Sequence, residues 1–202
     1  GVLRWDWGKS PTGGSINAEI ANRILVSVRL VTIGFIGGAL MGVFLGAWVA
    51  TKQYKWQDKL LSWWTVLVIA TPVLVIGVTL QVLAVEFNRR VGTRVFEVTH
   101  EMSPRMVGKS FWETIPNRLK HLILPTIALT IGQVAVFSRY QRGLMLDTLN
   151  ADFVRTAQAK GLKRRRAVFK HALRTALIPT GTLFAFQIAA VFTGAVITET
   201  VF

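Results

Sequence analysis

LVTIGFIGGALMGVFLGAWVA, from Leu30 to Ala50, runs 21 residues without a charge. At a rise of about 1.5 Å per residue, a helix of that length crosses the roughly 30 Å of hydrocarbon in a bilayer. Ile24 to Val28 extend the run past Arg29, whose long side chain can reach the interface from a helix end. The reading is one membrane span over residues 24–50. Gly34, Gly38, Gly42 and Gly46 recur at every fourth position and share one helical face, with Gly37 beside them. A face without side chains lets a neighbouring backbone approach closely, the small-xxx-small packing of membrane helices. A strip lining a pore is the other use of such a face.

The same logic works outward along the chain. Leu60 to Val85 supplies 26 uncharged residues and predicts a span over 60–85, with Pro72 inside it to remove a backbone hydrogen bond and bend or break the helix. Leu122 to Ser138 offers only 17, so a span over 122–142 requires Arg139 and Arg142 to lie at the interface; Pro125 within it is expected, like Pro72, to bend or break its helix locally. Thr175 to Thr198 gives 24 and predicts a fourth span over 177–199. The composition agrees, with 51% hydrophobic residues, 17% charged residues and a mean hydropathy of +0.44. The fold class is therefore all-α, a polytopic membrane protein with four helices in this chain.

A net charge of +14 would suggest nucleic acid if it lay on a soluble face, but here the cations fall between apolar runs and membrane lipid is the expected neighbour. Their distribution orients the spans, because cytoplasmic loops carry the excess of Lys and Arg. The first connection holds Lys52, Lys55 and Lys59, and the third, from Arg139 to Arg174, holds ten cations against Asp147 and Asp152. The second, an external loop over 86–121, dilutes seven cations with Glu86, Glu97, Glu101 and Glu113. Both ends then lie outside, and Phe111, Trp112, Trp5 and Trp7 are placed at the headgroups. A helix missing at each end would return the termini to the cytoplasm, and with Gly1 in place of Met the chain is expected to be part of something longer.

There is no cysteine, the three histidines are scattered, and no Asp, Glu or His falls inside a span, so neither a metal site nor a catalytic residue is expected. The chemistry concentrates instead in DFVRTAQAKGLKRRRAVFKHALRTALIP, Asp152 to Pro179. DFVRTAQAK reads as a first helix with Phe153, Val154 and Ala157 inward, and Gly161 breaks it. A second helix follows, with Lys163, Arg166, Lys170 and Arg174 as a basic stripe beside Phe169, Ala172, Leu173 and Ala176. A surface helix attracting anionic lipid, or a docking element for a soluble subunit, satisfies this pattern equally. A nucleic-acid site lacks the stacking aromatics it would need.

The segment resembles the cytoplasmic loop of ABC importer permeases, which has the form Glu-Ala-Ala, three residues, Gly, then nine residues before Ile-x-Leu-Pro. With the family glycine on Gly161, Ala157 meets the second alanine and Leu173 the late leucine. Arg155, Thr156, His171 and Arg174 replace the glutamate, first alanine, isoleucine and proline. DFVRTAQAKGL (Asp152 to Leu162), HALRTALIP (His171 to Pro179), ETVF (Glu199 to Phe202) and GVLRWDWGKS (Gly1 to Ser10) are more similar to the dipeptide, oligopeptide and nickel permease branch.

The resemblance implies the transmembrane domain of a type I ABC importer over residues 1–202, of which this chain supplies helices two to five of six. It implies a cytoplasmic coupling loop over 147–176 whose ATPase-coupling residues are Thr156, Ala157, Gly161, Leu162, Lys163, Arg164 and Arg165, with a side chain at Gly161 expected to obstruct the turn. It further implies a bacterial-type cytoplasmic (inner) membrane, a second homologous permease, two ABC ATPase subunits that carry ATP and Mg, and an extracytoplasmic substrate-binding protein. The chain itself would be no enzyme and would hold no cofactor. Peptides are the expected solute, with nickel, haem or another small solute as alternatives. An exporter or channel needs no external binding protein, and a non-catalytic scaffold needs no ATP hydrolysis.

Overall fold

The computed structural model describes residues 32–96 and 111–201, with side chains over 32–96 and 122–188. The start of the first span, Gly1 to Ser10 with Trp5 and Trp7, and residues 97–110 of the external loop lie outside the described residues, as do the side chains of Phe111 and Trp112 and those of the ETVF motif.

Helix α1, Thr32–Ala50, begins with a π-helical turn over Thr32–Ile36. Gly34, Phe35, Gly38, Ala39, Gly42, Gly46, Val49 and Ala50 are buried, whereas Leu40 and Phe44 are each 67% exposed. Apart from Phe35 and Val49, the buried face is made of small residues while bulky Leu40 and Phe44 face outward, as expected where lipid is as apolar as leucine. The partner is α4, Phe111–Leu149, which runs parallel to α1 and continues as one helix through Pro125, so the break expected there does not occur.

The run read as one span over 60–85 is two helices, α2 (Trp56–Ala70) and α3 (Val73–Val91), bent by 105°. The cause is local. Pro72 disfavours helical geometry in the residue before it, and Thr71 is extended at φ −93° and ψ 124°. The Thr71 hydroxyl donates to the Leu67 carbonyl at 2.7 Å, satisfying an acceptor that the interrupted helix leaves free. Helix α3 ends at Gly92, which takes φ +72° as a left-handed cap. It thus carries six residues into the stretch read as external loop, and α4 already includes 111–121.

After α4 come α5 (Asp152–Ala159), a short α6 (Arg164–Ala167), a π-helical turn over Val168–Ala172 and α7 (Leu173–Val201). The segment expected as a coupling loop over 147–176 is largely helical, as its helix, glycine, helix pattern predicts. Its first residues belong to α4 and its last thirteen to the helical run into α7, because charged side chains do not stop a helix that lacks Pro or Gly. Among the described residues, α1, α4 and the α2 and α3 pair taken as one bent span are long and apolar enough to cross a membrane.

Two apolar clusters hold the bundle. In one, Phe35, Phe137 and Phe184 bring α1, α4 and α7 together, with ring centroids 4.8 to 6.2 Å apart. In the other, Ala50, Met145, Val154, Ala167, Val168, Ala172 and Ala176 tie the ends of α1 and α4 to the α5 to α7 segment.

Candidate functional site

Helix α5 closes with a specific backbone device. The Gly161 N–H donates to the Gln158 carbonyl at 2.9 Å and the Leu162 N–H to the Ala157 carbonyl at 3.1 Å, the paired bonds of a Schellman motif. Gly161 holds φ +89°, a left-handed geometry that side chains rarely adopt. A Cβ built there meets nothing within 4 Å. The turn therefore requires glycine for conformation and not for space, which corrects the expectation that a side chain would obstruct it. Ala157 and Leu162, bonded to each other across the motif, both pack onto the Met145 cluster.

The predicted coupling residues thus fall into two groups. Ala157 and Leu162 are half-buried and root the turn in the bundle, while Thr156, Gly161, Lys163, Arg164 and Arg165 are exposed. The Thr156 hydroxyl is spent locally, donating to the Asp152 carbonyl at 2.9 Å. Of the residues read as inward on α5, Val154 is 1% exposed, but Phe153 is 44% exposed and Phe169 beyond the turn 56%. An eight-residue helix turns only a narrow face inward, and Val154 with Ala157 fills it. Gly161, Lys160, Lys163, Arg165 and Phe169 surround a concavity of about 650 Å³. Arg164, Arg165 and Arg166 form the first turn of a helical run that continues into α7, where cations oppose the helix dipole, and none makes an ion pair among the described residues. The surface is basic, partly apolar and electrostatically unsatisfied.

The four glycines of α1 occupy a different environment. A Cβ at Gly34 would lie 3.1 Å from Leu129 Cβ, at Gly38 2.7 Å from Gln133 Cβ and at Gly42 2.8 Å from Phe137 Cβ. At Gly46 it would run into the Ser138 carbonyl. Gly37 faces open space.

Charge patterning alone missed an ion pair that braces this end of the bundle. Asp58, in the first turn of α2, is 3% exposed and accepts both the Nε and Nη2 hydrogens of Arg142 on α4, the latter at 2.8 Å. Its Oδ2 also accepts the Tyr54 N–H at 3.0 Å, closing a turn in which Tyr54 takes φ +64°. The sequence signal was the shortness of the uncharged run before Arg142, which reads as an interfacial cation but equally marks a paired one. Deeper in, the Thr180 hydroxyl on α7 donates to Gln141 Oε1 on α4 at 2.5 Å, with both residues buried. Among the described residues no group of His, Asp or Glu could hold a metal ion.

The arrangement is a basic hairpin joined through buried alanines to the ends of long helices. Residues 42–202 match the family described as binding-protein-dependent transport system inner membrane component. The oligopeptide transport system permease protein OppB of Mycobacterium tuberculosis is 46% identical over 201 residues, which is 100% of this chain and 62% of that protein. The dipeptide transport system permease protein DppB of Lactococcus lactis is 35% identical over 191 residues (95% and 56%). The glutathione transport system permease protein GsiC of Salmonella typhimurium is 30% identical over 202 residues (100% and 60%). The chain spans about three fifths of the length of these curated relatives. By the match of residues 42–202, the chain belongs to the family of binding-protein-dependent transport system inner membrane components, with the all-α fold of a type I ABC importer transmembrane domain.

Proposed function

We propose that the protein is a permease subunit of an ATP-driven importer, sited in a bacterial cytoplasmic membrane and forming, with a second homologous permease, the path for peptides delivered by an external binding protein. In this reading it catalyses no reaction itself; ATP and Mg act on two partner ATPase subunits. The four segments 24–50, 60–85, 122–142 and 177–199 are the spans, and the connection over 86–121 faces outward. The glycine face of α1 is a packing seam.

The observation that carries the reading is the α5 to α6 hairpin. Lys163, Arg164 and Arg165 stand exposed at the start of a helix where positive charge is least welcome, so an acidic cleft on a soluble subunit would relieve them. Ala157 and Leu162 would transmit the push, since both pack against Met145 of α4 and the α6 to α7 run. A hairpin seated in a closing ATPase pair would be driven as a rigid body, and the helices rooted in the same cluster would tilt with it.

The test uses the full-length permease co-expressed with its partner permease, ATPases and binding protein. Arg164→Glu with Arg165→Glu is expected to abolish co-purification of the ATPases and peptide-stimulated ATP hydrolysis, while the two permeases still purify together. Wild-type recovery of the ATPases by that variant would remove the coupling role. Uptake that persists without the binding protein would favour a channel or exporter.

A further inference from the structure

Beside the break between α2 and α3 lies a small cavity whose largely apolar lining includes three polar residues. It has a volume of about 250 Å³ and is lined by Thr71 at the break, Gln133 on α4 and Gln187 on α7, among aliphatic neighbours that include Ile69, Ile76 and Val136. All three polar residues stand at mid-membrane depth by position. Gln133 is near the centre of the apolar stretch Leu122–Leu149, Gln187 near the centre of Leu173–Val201, and Thr71 at the junction of the bent pair.

Gln133 is the residue that needs an explanation. Its Oε1 is buried and has no hydrogen-bond partner among the described residues. Burying an amide oxygen without a donor is unfavourable, most of all where no bulk water can substitute. Its Cβ sits against Gly38 of α1, so close that a methyl group on that glycine would overlap it, which anchors the base of the side chain at the seam between α1 and α4. Thr71 cannot serve as the donor without giving up Leu67, to whose carbonyl its hydroxyl is already bonded. The fold therefore holds an acceptor at the wall of a cavity and leaves the donor to come from outside. Broken membrane helices with irregular backbone are tolerated where they line such a cavity, and in transporters they mark the solute path.

We infer that Gln133, with Gln187 across the cavity, is a transit contact for the backbone of an extended peptide. A carboxamide presents one acceptor and two donors, the complement of a peptide unit, and reads the main chain without regard to side chains. The volume supports a passing contact over a storage site. It falls below the roughly 300 to 1,000 Å³ of pockets that enclose a whole ligand, so it admits a short piece of chain. The exposure of Ile69 at 47% leaves the cavity reachable from the surface of the subunit. This inference rests on the peptide-importer reading above and adds to it the residues and the part of the solute they touch.

The test compares uptake of a labelled peptide with that of the same peptide N-methylated at a central amide, in proteoliposomes holding the complete transporter. Removing the solute's N–H should slow wild-type uptake by about 3- to 10-fold through this contact. Gln133→Leu, close in size, should slow uptake of the plain peptide and lose that discrimination; Gln187→Leu should reduce it less. The binding protein is common to all samples, so a change in the ratio belongs to the permease. Retention of the wild-type ratio by both variants overturns the inference, as does an equal loss of both peptides without any change in ratio. Absence of peptide uptake by the unaltered transporter overturns the substrate reading itself, and this inference with it. Should Gln133→Leu fail to assemble, the ratio in Gln187→Leu decides alone.

Discussion

Glycine does opposite work at the two ends of this molecule. Along α1, Gly38, Gly42 and Gly46 have ordinary helical backbone and no room, since a Cβ at each would strike α4. At the α5 turn, Gly161 has open room and a backbone that other residues resist, at φ +89°. The first kind of glycine maintains contact between two helices, and the second kind shapes a hairpin that contacts the rest of the bundle through its neighbours Ala157 and Leu162. One is a packing requirement distributed along one helix face; the other is a single dihedral angle.

That contrast yields an ordered set of outcomes. The largest effect is expected at Gly46→Leu, which drives a side chain into the Ser138 carbonyl and should leave no correctly folded protein in detergent extracts. Even Gly42→Ala should lower stability by about 1 to 3 kcal/mol, the range for overpacking, read as a drop in Tm. Gly37→Ala is the internal control, because nothing stands within 4 Å, and it should be neutral or stabilising by up to about 1 kcal/mol through helix propensity. Equal losses at Gly37 and Gly42 would break the distinction between seam and surface.

Next in size is the Asp58 and Arg142 pair, which joins the α1 to α2 turn to α4. Removing one partner of a fully buried pair costs about 3 to 5 kcal/mol, and with the Arg142 side chain 27% exposed the loss for Asp58→Ala should fall near the lower bound, about 2 to 3 kcal/mol. The double variant with Arg142→Ala should recover part of this. Additive losses in the two single variants would show that the pair contributes no coupling energy.

Apart from the Gly37 control, the smallest loss of stability is expected at Gly161. Gly161→Ala should cost about 1 to 2 kcal/mol, the penalty of a left-handed residue, and Gly161→Asn less, because asparagine tolerates that geometry. Transport should follow the same ranking, with asparagine retaining more uptake than alanine and leucine resembling alanine. A leucine variant far worse than alanine would restore a steric role for the position.

Much of this was legible beforehand. The long uncharged runs, the four-residue glycine repeat and the helix, glycine, helix pattern around Gly161 are each periodic or local, and local signals survive in a single chain. Pro72 announced a disruption, but its size, a 105° bend, depends on what α3 packs against. Phe153 misled because in an eight-residue helix hydrophobicity does not select the inward face once a membrane or partner offers apolar surroundings elsewhere. Asp58 and Arg142 stand 84 positions apart in the sequence, and nothing in either neighbourhood indicates the other.

By itself, then, the sequence determined that this chain is helical, crosses a membrane and carries a basic hairpin, because helix length, apolar content and charge bias are sums over neighbours. The tertiary structure decided which face of α1 meets α4, why Gly161 favours glycine, that Asp58 is buried and that Gln133 Oε1 lacks a donor among the described residues. Those depend on distances between segments far apart in the chain, and in a bilayer, where apolar side chains gain little by turning inward, no hydropathy pattern encodes them.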